Sequence, residues 1–159
     1  MANTLSIIIP AYNEVHAIDA ALRRVVEIKI PGWKKEIIVV DDGSTAGTRE
    51  KLKNWEKKVH VLYQPRNQGK GAALTKGFAK ATGDIILVQD ADMEYSPENY
   101  SRLLEPFAHT QVDVVYGSRF LGTHLSTMFV YELGNRFVTL MTNLLYNTNI
   151  TDMETGYKV

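Results

Sequence analysis

Short β-branched runs alternate with helical stretches along the chain, and that alternation predicts βα units around a mostly parallel sheet. Leu5–Ile9 reads as a first strand. After it, Ile18, Leu22, Val25 and Val26 fall at i, i+4, i+7 and i+8, one face of a helix that ends before Pro31-Gly32. Glu36–Val40 predicts a second strand, Leu52 and Trp55 mark a charged helix after Gly47, and Val59–Tyr63 predicts a third strand. Leu74, Phe78 and Ala81 then outline a helix opening near Gly69-Lys70-Gly71. Ile85–Gln89 lacks polar alternation, as expected of a parallel strand buried on both faces. Pro97 suits the first turn of a helix carrying Tyr100, Leu103, Leu104 and Phe107 on one side. Val112–Tyr116 predicts a fifth strand. From Leu133 the spacing of Phe137, Leu140, Met141 and Leu144 predicts a last amphipathic helix, broken at Asn147-Thr148-Asn149. Leu121–Met128, rich in Gly, Thr, His and Ser, reads as a mobile loop. The class is α/β, with no internal repeat or linker.

Composition narrows the function classes. At 159 residues the chain is expected to form one domain over 1–159. It stops at Tyr157-Lys158-Val159, where a further element is expected to begin, so the domain reads as truncated at its C-terminal side. Lys plus Arg and Asp plus Glu both total 18, which leaves no basic field to draw nucleic acid. With no cysteine, a metal would take oxygen ligands or the four histidines, and the composition fits a reducing compartment. His16, His60, His109 and His124 share no metal spacing; only His124 is a possible loop contact. Met1–Thr4 carries no positive charge and the following apolar run stops at Pro10, so the start is cytoplasmic in character. No run of about 18 apolar residues predicts a membrane span. A membrane partner or a lipid substrate stays open.

The candidate chemistry lies where strands end. In open α/β sheets ligands bind at the carboxyl ends of the strands. Pro10-Ala11-Tyr12-Asn13-Glu14 follows strand one, Asp41-Asp42-Gly43-Ser44 follows strand two, and Gln89-Asp90-Ala91-Asp92-Met93-Glu94 follows strand four. An acid after a strand is often only a helix cap or turn former. Three such clusters on one sheet edge exceed what capping explains. Asp90 and Asp92 can face one ion if the chain turns between them, and Ala91 keeps that turn narrow. Mg²⁺ or Mn²⁺ takes one or two carboxylates and completes its shell with water and phosphate oxygens. A carboxylate pair beside a diphosphate would repel it without such a cation. Glu94 either adds a third oxygen or begins a solvated turn before Ser96-Pro97.

Asp42 stands where dinucleotide-binding domains put the acid that bonds a ribose hydroxyl, but the Gly-x-Gly-x-x-Gly loop after strand one is missing. A nicotinamide enzyme is therefore not expected. Tyr12 and Glu14 either meet a base or ribose, or pack on the core and start the helix. Asn67-Gln68-Gly69-Lys70-Gly71 lacks P-loop spacing; it either exposes helix amides to a phosphate or nucleobase, or is a simple helix entry. Arg119, after Gly117-Ser118, either faces an anion or sits in a surface ion pair.

In order and spacing, Ile7–Glu14, Ile37–Ser44, Asn67–Gly71, Asp90-Ala91-Asp92, Gly117-Ser118-Arg119 and Thr151–Lys158 resemble the inverting family 2 glycosyltransferases. The branch they most resemble is the dolichyl-phosphate mannose or glucose synthases and their bacterial polyprenyl-phosphate counterparts. The resemblance implies a GT-A fold, a Rossmann-like three-layer sandwich with a mostly parallel central sheet. It implies that Pro10, Tyr12, Glu14, Val40, Asp42, Lys70 and Ala91 serve the nucleotide sugar, that Asp90, Asp92 and Glu94 serve Mg²⁺ or Mn²⁺, and that Arg119 and Asp152 serve the acceptor side. The donor would be of the GDP-mannose or UDP-glucose type. The acceptor would be a polyprenyl (dolichyl or undecaprenyl) phosphate, with Arg136 as a further contact, or else a glycan hydroxyl with Asp152 as base. Such an enzyme works in cell-envelope glycan biosynthesis, cytoplasmic or peripheral at the cytoplasmic membrane face. Family members usually continue past Lys158, so a catalytically silent nucleotide-binding or partner-binding fragment is the main rival reading. A sugar-phosphate nucleotidylyltransferase is disfavoured because its glycine-rich basic loop is absent after strand one.

Overall fold

The computed structural model describes residues 3–45, 47–92, 94–109, 111–120 and 129–159, with the side chains of 129 and 130 left aside. The expected loop Leu121–Met128 and His124 lie outside the described residues. The chain divides into two compact units, Met1–Arg102 and Leu103–Val159.

In the first unit the four β-branched runs form one parallel sheet of β1 (Asn3–Ala11), β2 (Trp33–Asp41), β3 (His60–Tyr63) and β4 (Ile85–Val88), in the order β3-β2-β1-β4. Leu5, Ile7, Ile8 and Ile9 of the central strand are fully buried, so β1 is covered on both faces. The strand order explains how. From β1 to β2 to β3 the chain steps one way through α1 (Ile18–Glu27) and α2 (Thr48–Lys53), then returns to β4 through α3 (Lys70–Phe78). Right-handed crossovers put α1 and α2 on one face and α3 on the other, which makes the three layers.

Side chains bear this out. Ala73 of α3 packs with Ile8, Ile38 and Val40. Gly77 lets the helix lie that close, since a Cβ there would stand 2.4 Å from Ile8 Cγ2. Beside α1, Asp19 accepts from Trp55 Nε1 at 2.9 Å and pairs with Lys51 of α2 at 2.8 Å. Lys35 of β2 donates to the carbonyls of Val25, Val26 and Ile28, so an ammonium satisfies the C-terminal end of α1. The reversal of direction between β1 and β4 is a topological switch point, and it opens a crevice beyond their carboxyl ends.

The helix expected from Pro97 is broken into a 3-10 turn (Pro97–Asn99), α4 (Tyr100–Leu104) and a second 3-10 turn (Glu105–Ala108). Pro106 accounts for the break, because it has no N–H to donate and disfavours helical geometry in the residue before it.

In the second unit the expected strand Val112–Tyr116 does not form. Only Tyr116 bridges, antiparallel to Lys158, flanked by the Val115–Val159 and Gly117–Tyr157 backbone bonds at 2.8 to 3.0 Å. Val114 is 59% exposed. The last helix, α5 (Phe129–Tyr146), forms as expected, but its apolar stripe faces outward. Phe137, Leu140 and Leu144 are exposed, whereas Asn135 and Thr139 are buried. Among the described residues no helix is long and apolar enough to cross a membrane.

Candidate donor cleft and the Arg119–Asp152 cluster

A cleft of about 310 Å³ opens at the switch point of the first unit. The loop after β1 contributes Pro10, Ala11, Tyr12 and Glu14; the end of β2 contributes Asp42. Asn67, Gly69, Lys70 and Ala73 come from the entry and first turn of α3, and Asp90, Ala91 and Asp92 from the turn after β4. Four stretches distant in sequence therefore meet at one point because parallel strands end together.

Local bonding fixes each wall. Asn13 adopts the left-handed conformation (φ 58°), which asparagine tolerates. Its N–H donates to Ser44 Oγ at 3.0 Å and its Oδ1 accepts from Thr45 N–H at 2.9 Å, so the first two loops are stapled together. That staple presents Tyr12, 45% exposed, to the cleft. The Glu14 carbonyl accepts from the N–H of Ile18, the first residue of α1, at 2.9 Å.

The two adjacent aspartates after β2 do different work. Asp41 is fully buried and pairs with Arg49 Nε at 2.6 Å, while Arg49 also donates to the Gln64 carbonyl. It is structural. Asp42 faces the cleft: its Oδ1 accepts from Gln64 Nε2 at 2.7 Å and Gln68 N–H at 2.8 Å, and its Oδ2 accepts from Gly69 N–H at 2.8 Å. A carboxylate offers about four lone-pair sites, so Oδ2 retains room for one ligand donor. Gly43 makes this possible. It holds φ +74°, and a Cβ there would lie 2.3 Å from the Arg66 backbone carbon.

Across the cleft, Gln89 was not singled out by sequence reasoning. It is buried and donates to the carbonyls of Asp90 at 2.9 Å and Tyr95 at 3.1 Å, and Tyr100 OH donates to its Oε1 at 2.7 Å. This network shapes the Asp90–Asp92 turn. Asp92 Oδ1 accepts from Glu94 N–H at 3.1 Å. Asp90 Oδ1 lies 2.5 Å from Lys70 Nζ.

Asp90 and Asp92 thus bring two carboxylates into one cleft, the number that Mg²⁺ or Mn²⁺ commonly takes from protein. The donor set fits a hard divalent ion. Two expected residues stand apart. Glu94 is exposed and outside the cleft lining, and no cluster of three His, Cys, Asp or Glu side chains exists among the described residues. Val40 is fully buried in the core beside Ile8, Ile38 and Ala73 and does not line the cleft. It lies under α3, packed with Ala73 and close to Gly77. Asn67 and Ala73 join the lining; the glycine-bearing motif marked the first, and nothing in the sequence marked the second.

In the second unit, Asp152 is fully buried and grips Arg119. Arg119 Nε donates to Oδ2 at 2.8 Å and Nη2 to Oδ1 at 2.9 Å, a bidentate pair, and Arg119 N–H adds a contact to Oδ2 at 3.1 Å. Asn135 of α5 donates to Oδ1 at 2.8 Å. Burial alone would raise the Asp152 pKa, but these donors outweigh it and hold the carboxyl below the usual aspartate value. Arg136 pairs with Glu132 one turn away along α5 at 2.6 Å.

Residues 6–155 match the family model described as glycosyl transferase family 2. The chain is 34% identical over 119 residues to a dolichol-phosphate mannosyltransferase of Pyrococcus furiosus, covering 74% of this chain and 33% of that protein. It is 35% identical over 116 residues to an undecaprenyl-phosphate 4-deoxy-4-formamido-L-arabinose transferase of Pectobacterium carotovorum, covering 70% of this chain and 35% of that protein. The chain thus spans about a third of the length of the curated relatives it matches. Among solved structures, a mannosyltransferase of Pyrobaculum calidifontis in complex with GDP-Man and Mn²⁺ aligns with a TM-score of 0.59 at 24% identity, covering 69% of this chain and 34% of that one. That likeness, with the parallel sheet and its flanking helices, gives the GT-A fold. By the family match over nearly its whole length, the chain belongs to glycosyl transferase family 2.

Proposed function

We propose that the cleft binds the nucleoside diphosphate of a sugar donor, of the GDP-mannose or UDP-glucose type, with Mg²⁺ or Mn²⁺ held by Asp90 and Asp92. The sugar is then transferred, with inversion, to a polyprenyl phosphate. The observation that carries the reading is the charge of the cleft: Glu14, Asp42, Asp90 and Asp92 line it against one ammonium, Lys70. Such a wall repels a diphosphate unless a cation joins it. The cation, when bound, supplies Lewis-acid stabilisation of charge growing on the leaving diphosphate. Tyr12 offers an aromatic face to the nucleobase, and the remaining acceptor site on Asp42 Oδ2 takes a hydroxyl or N–H of the nucleoside. Ala91 leaves the space between the two metal-binding aspartates open.

The choice of acceptor follows from Asp152. A general base works best with a pKa near the operating pH and a proton within reach. Asp152 is held the other way, buried, below its usual pKa and occupied by donors from Arg119 and Asn135. A sugar hydroxyl needs a base; a phosphate oxygen is already anionic. Asp152 therefore positions Arg119, whose side chain is 43% exposed, for an acceptor phosphate. The outward apolar face of α5, which also carries Asn135, favours a lipid-linked acceptor and peripheral association with the cytoplasmic membrane face.

The test is transfer from labelled GDP-mannose and UDP-glucose to polyprenyl phosphate or to a soluble glycan, with and without Mn²⁺. Label appearing in the lipid fraction only when Mn²⁺ is present is expected. Transfer to glycan instead would overturn the acceptor assignment, and donor binding without any transfer would favour a silent donor-binding domain.

A further inference from the structure

We propose that Lys70 is a tethered counter-ion: it neutralises Asp90 while the cleft is empty, yields that carboxylate to the divalent cation, and turns to the donor diphosphate. The inference rests on the metal reading of Asp90 and Asp92. Lys70 Nζ lies 2.5 Å from Asp90 Oδ1, and the two residues are 20 apart in sequence, brought together because α3 begins and β4 ends at the cleft. The pair is not a buried structural strut like Arg49–Asp41. The Lys70 side chain is 55% exposed and that of Asp90 15%, whereas the Asp41 side chain is fully buried.

The position of Lys70 on its helix is the second observation. It is the first residue of α3, where the positive end of the helix dipole disfavours a cation, and no acidic residue stands in that first turn to offset it. Helix stability therefore does not account for a lysine there. Its backbone is anchored, because the preceding Gly69 N–H donates to Asp42 Oδ2 at 2.8 Å. The flexible stem keeps the ammonium in the cleft whichever oxygen it bonds. An ammonium on Asp90 competes with an incoming cation for that carboxylate, and an ammonium released from Asp90 meets the phosphates that arrive with the donor. Cation and nucleotide should then bind with positive coupling, reciprocal by linkage.

Mn²⁺ binding without nucleotide, followed by the electron paramagnetic resonance of free Mn²⁺, separates the possibilities in wild type, Lys70→Met, Lys70→Arg and Asp92→Asn. Lys70→Met should bind Mn²⁺ about two- to fivefold more tightly, the size of one exposed ion pair, with Lys70→Arg close to wild type. In the presence of Mn²⁺, Lys70→Met should bind GDP and UDP more weakly, so that the coupling between ion and nucleotide shrinks. Unchanged or weaker Mn²⁺ affinity in Lys70→Met, with an unaltered thermal melt, overturns the role of Lys70 while leaving the metal site intact. Absence of Mn²⁺ binding in wild type, or binding that Asp92→Asn leaves unchanged, overturns the metal reading and this inference together.

Discussion

The two acidic centres of this chain use the same side chain to opposite ends. In the first unit, Asp42, Asp90 and Asp92 line an open cleft and face a single ammonium. In the second, one fully buried aspartate, Asp152, is bonded by a guanidinium, a backbone N–H and an amide. The first centre is short of positive charge and calls for a ligand that brings it. The second is satisfied within the fold and holds an arginine in place. Asp90 and Asp92 thus have few donors within the fold, whereas Asp152 is held by several.

Substitutions at the two centres should separate stability from binding. Asp152→Ala carries the largest expected loss of stability, about 3 kcal/mol in denaturant unfolding, near the low end for a broken buried pair because half-exposed Arg119 can turn to water. The pH dependence has a definite sign. Asp152 titrates below its ordinary value of 3.8 in the folded state, so its contribution is complete above that value and disappears as pH falls through the lower folded pKa. Acid unfolding of wild type should include this loss, and Asp152→Ala should flatten it.

Asp42→Asn comes next. The amide keeps one acceptor oxygen in place of two, so at least one of the bonds to Gln64, Gln68 and Gly69 is lost. A stability loss of about 1 kcal/mol is expected. Nucleotide affinity should fall more steeply, because the same bonds shape the entry to α3; equal affinity in a titration with GDP or UDP would remove Asp42 from the cleft chemistry. Asp92→Asn is the smallest in stability, within about 0.5 kcal/mol, as among the described residues its side chain makes only the local bond to Glu94 N–H.

These contrasts mark what the sequence can convey. The β-branched runs of β1, β2 and β4 announce themselves, since parallel strands buried on both faces are largely apolar, and the acidic motifs follow them at the ligand-binding edge. The sequence does not say which neighbour an acid meets. Asp41 and Asp42 are identical letters, yet strand alternation turns one to Arg49 and the other to the cleft. Val40 shares its parity with Asp42, and only packing against Ile8, Ile38 and Ala73 shows that it lies in the core. The fifth strand reduces to a bridge at Tyr116 because β-propensity at Val112–Tyr116 carries no information about a partner. The Lys70–Asp90 and Arg119–Asp152 pairs join residues 20 and 33 positions apart and follow from tertiary structure alone.

Calorimetric titration of wild type and Asp92→Asn with GDP and UDP, each with Mn²⁺ and with chelator, tests the central claim most directly. The account predicts tight binding by wild type with Mn²⁺, a loss of at least about tenfold with chelator, and no Mn²⁺ dependence in Asp92→Asn. Equal affinity of wild type with Mn²⁺ and with chelator would contradict it.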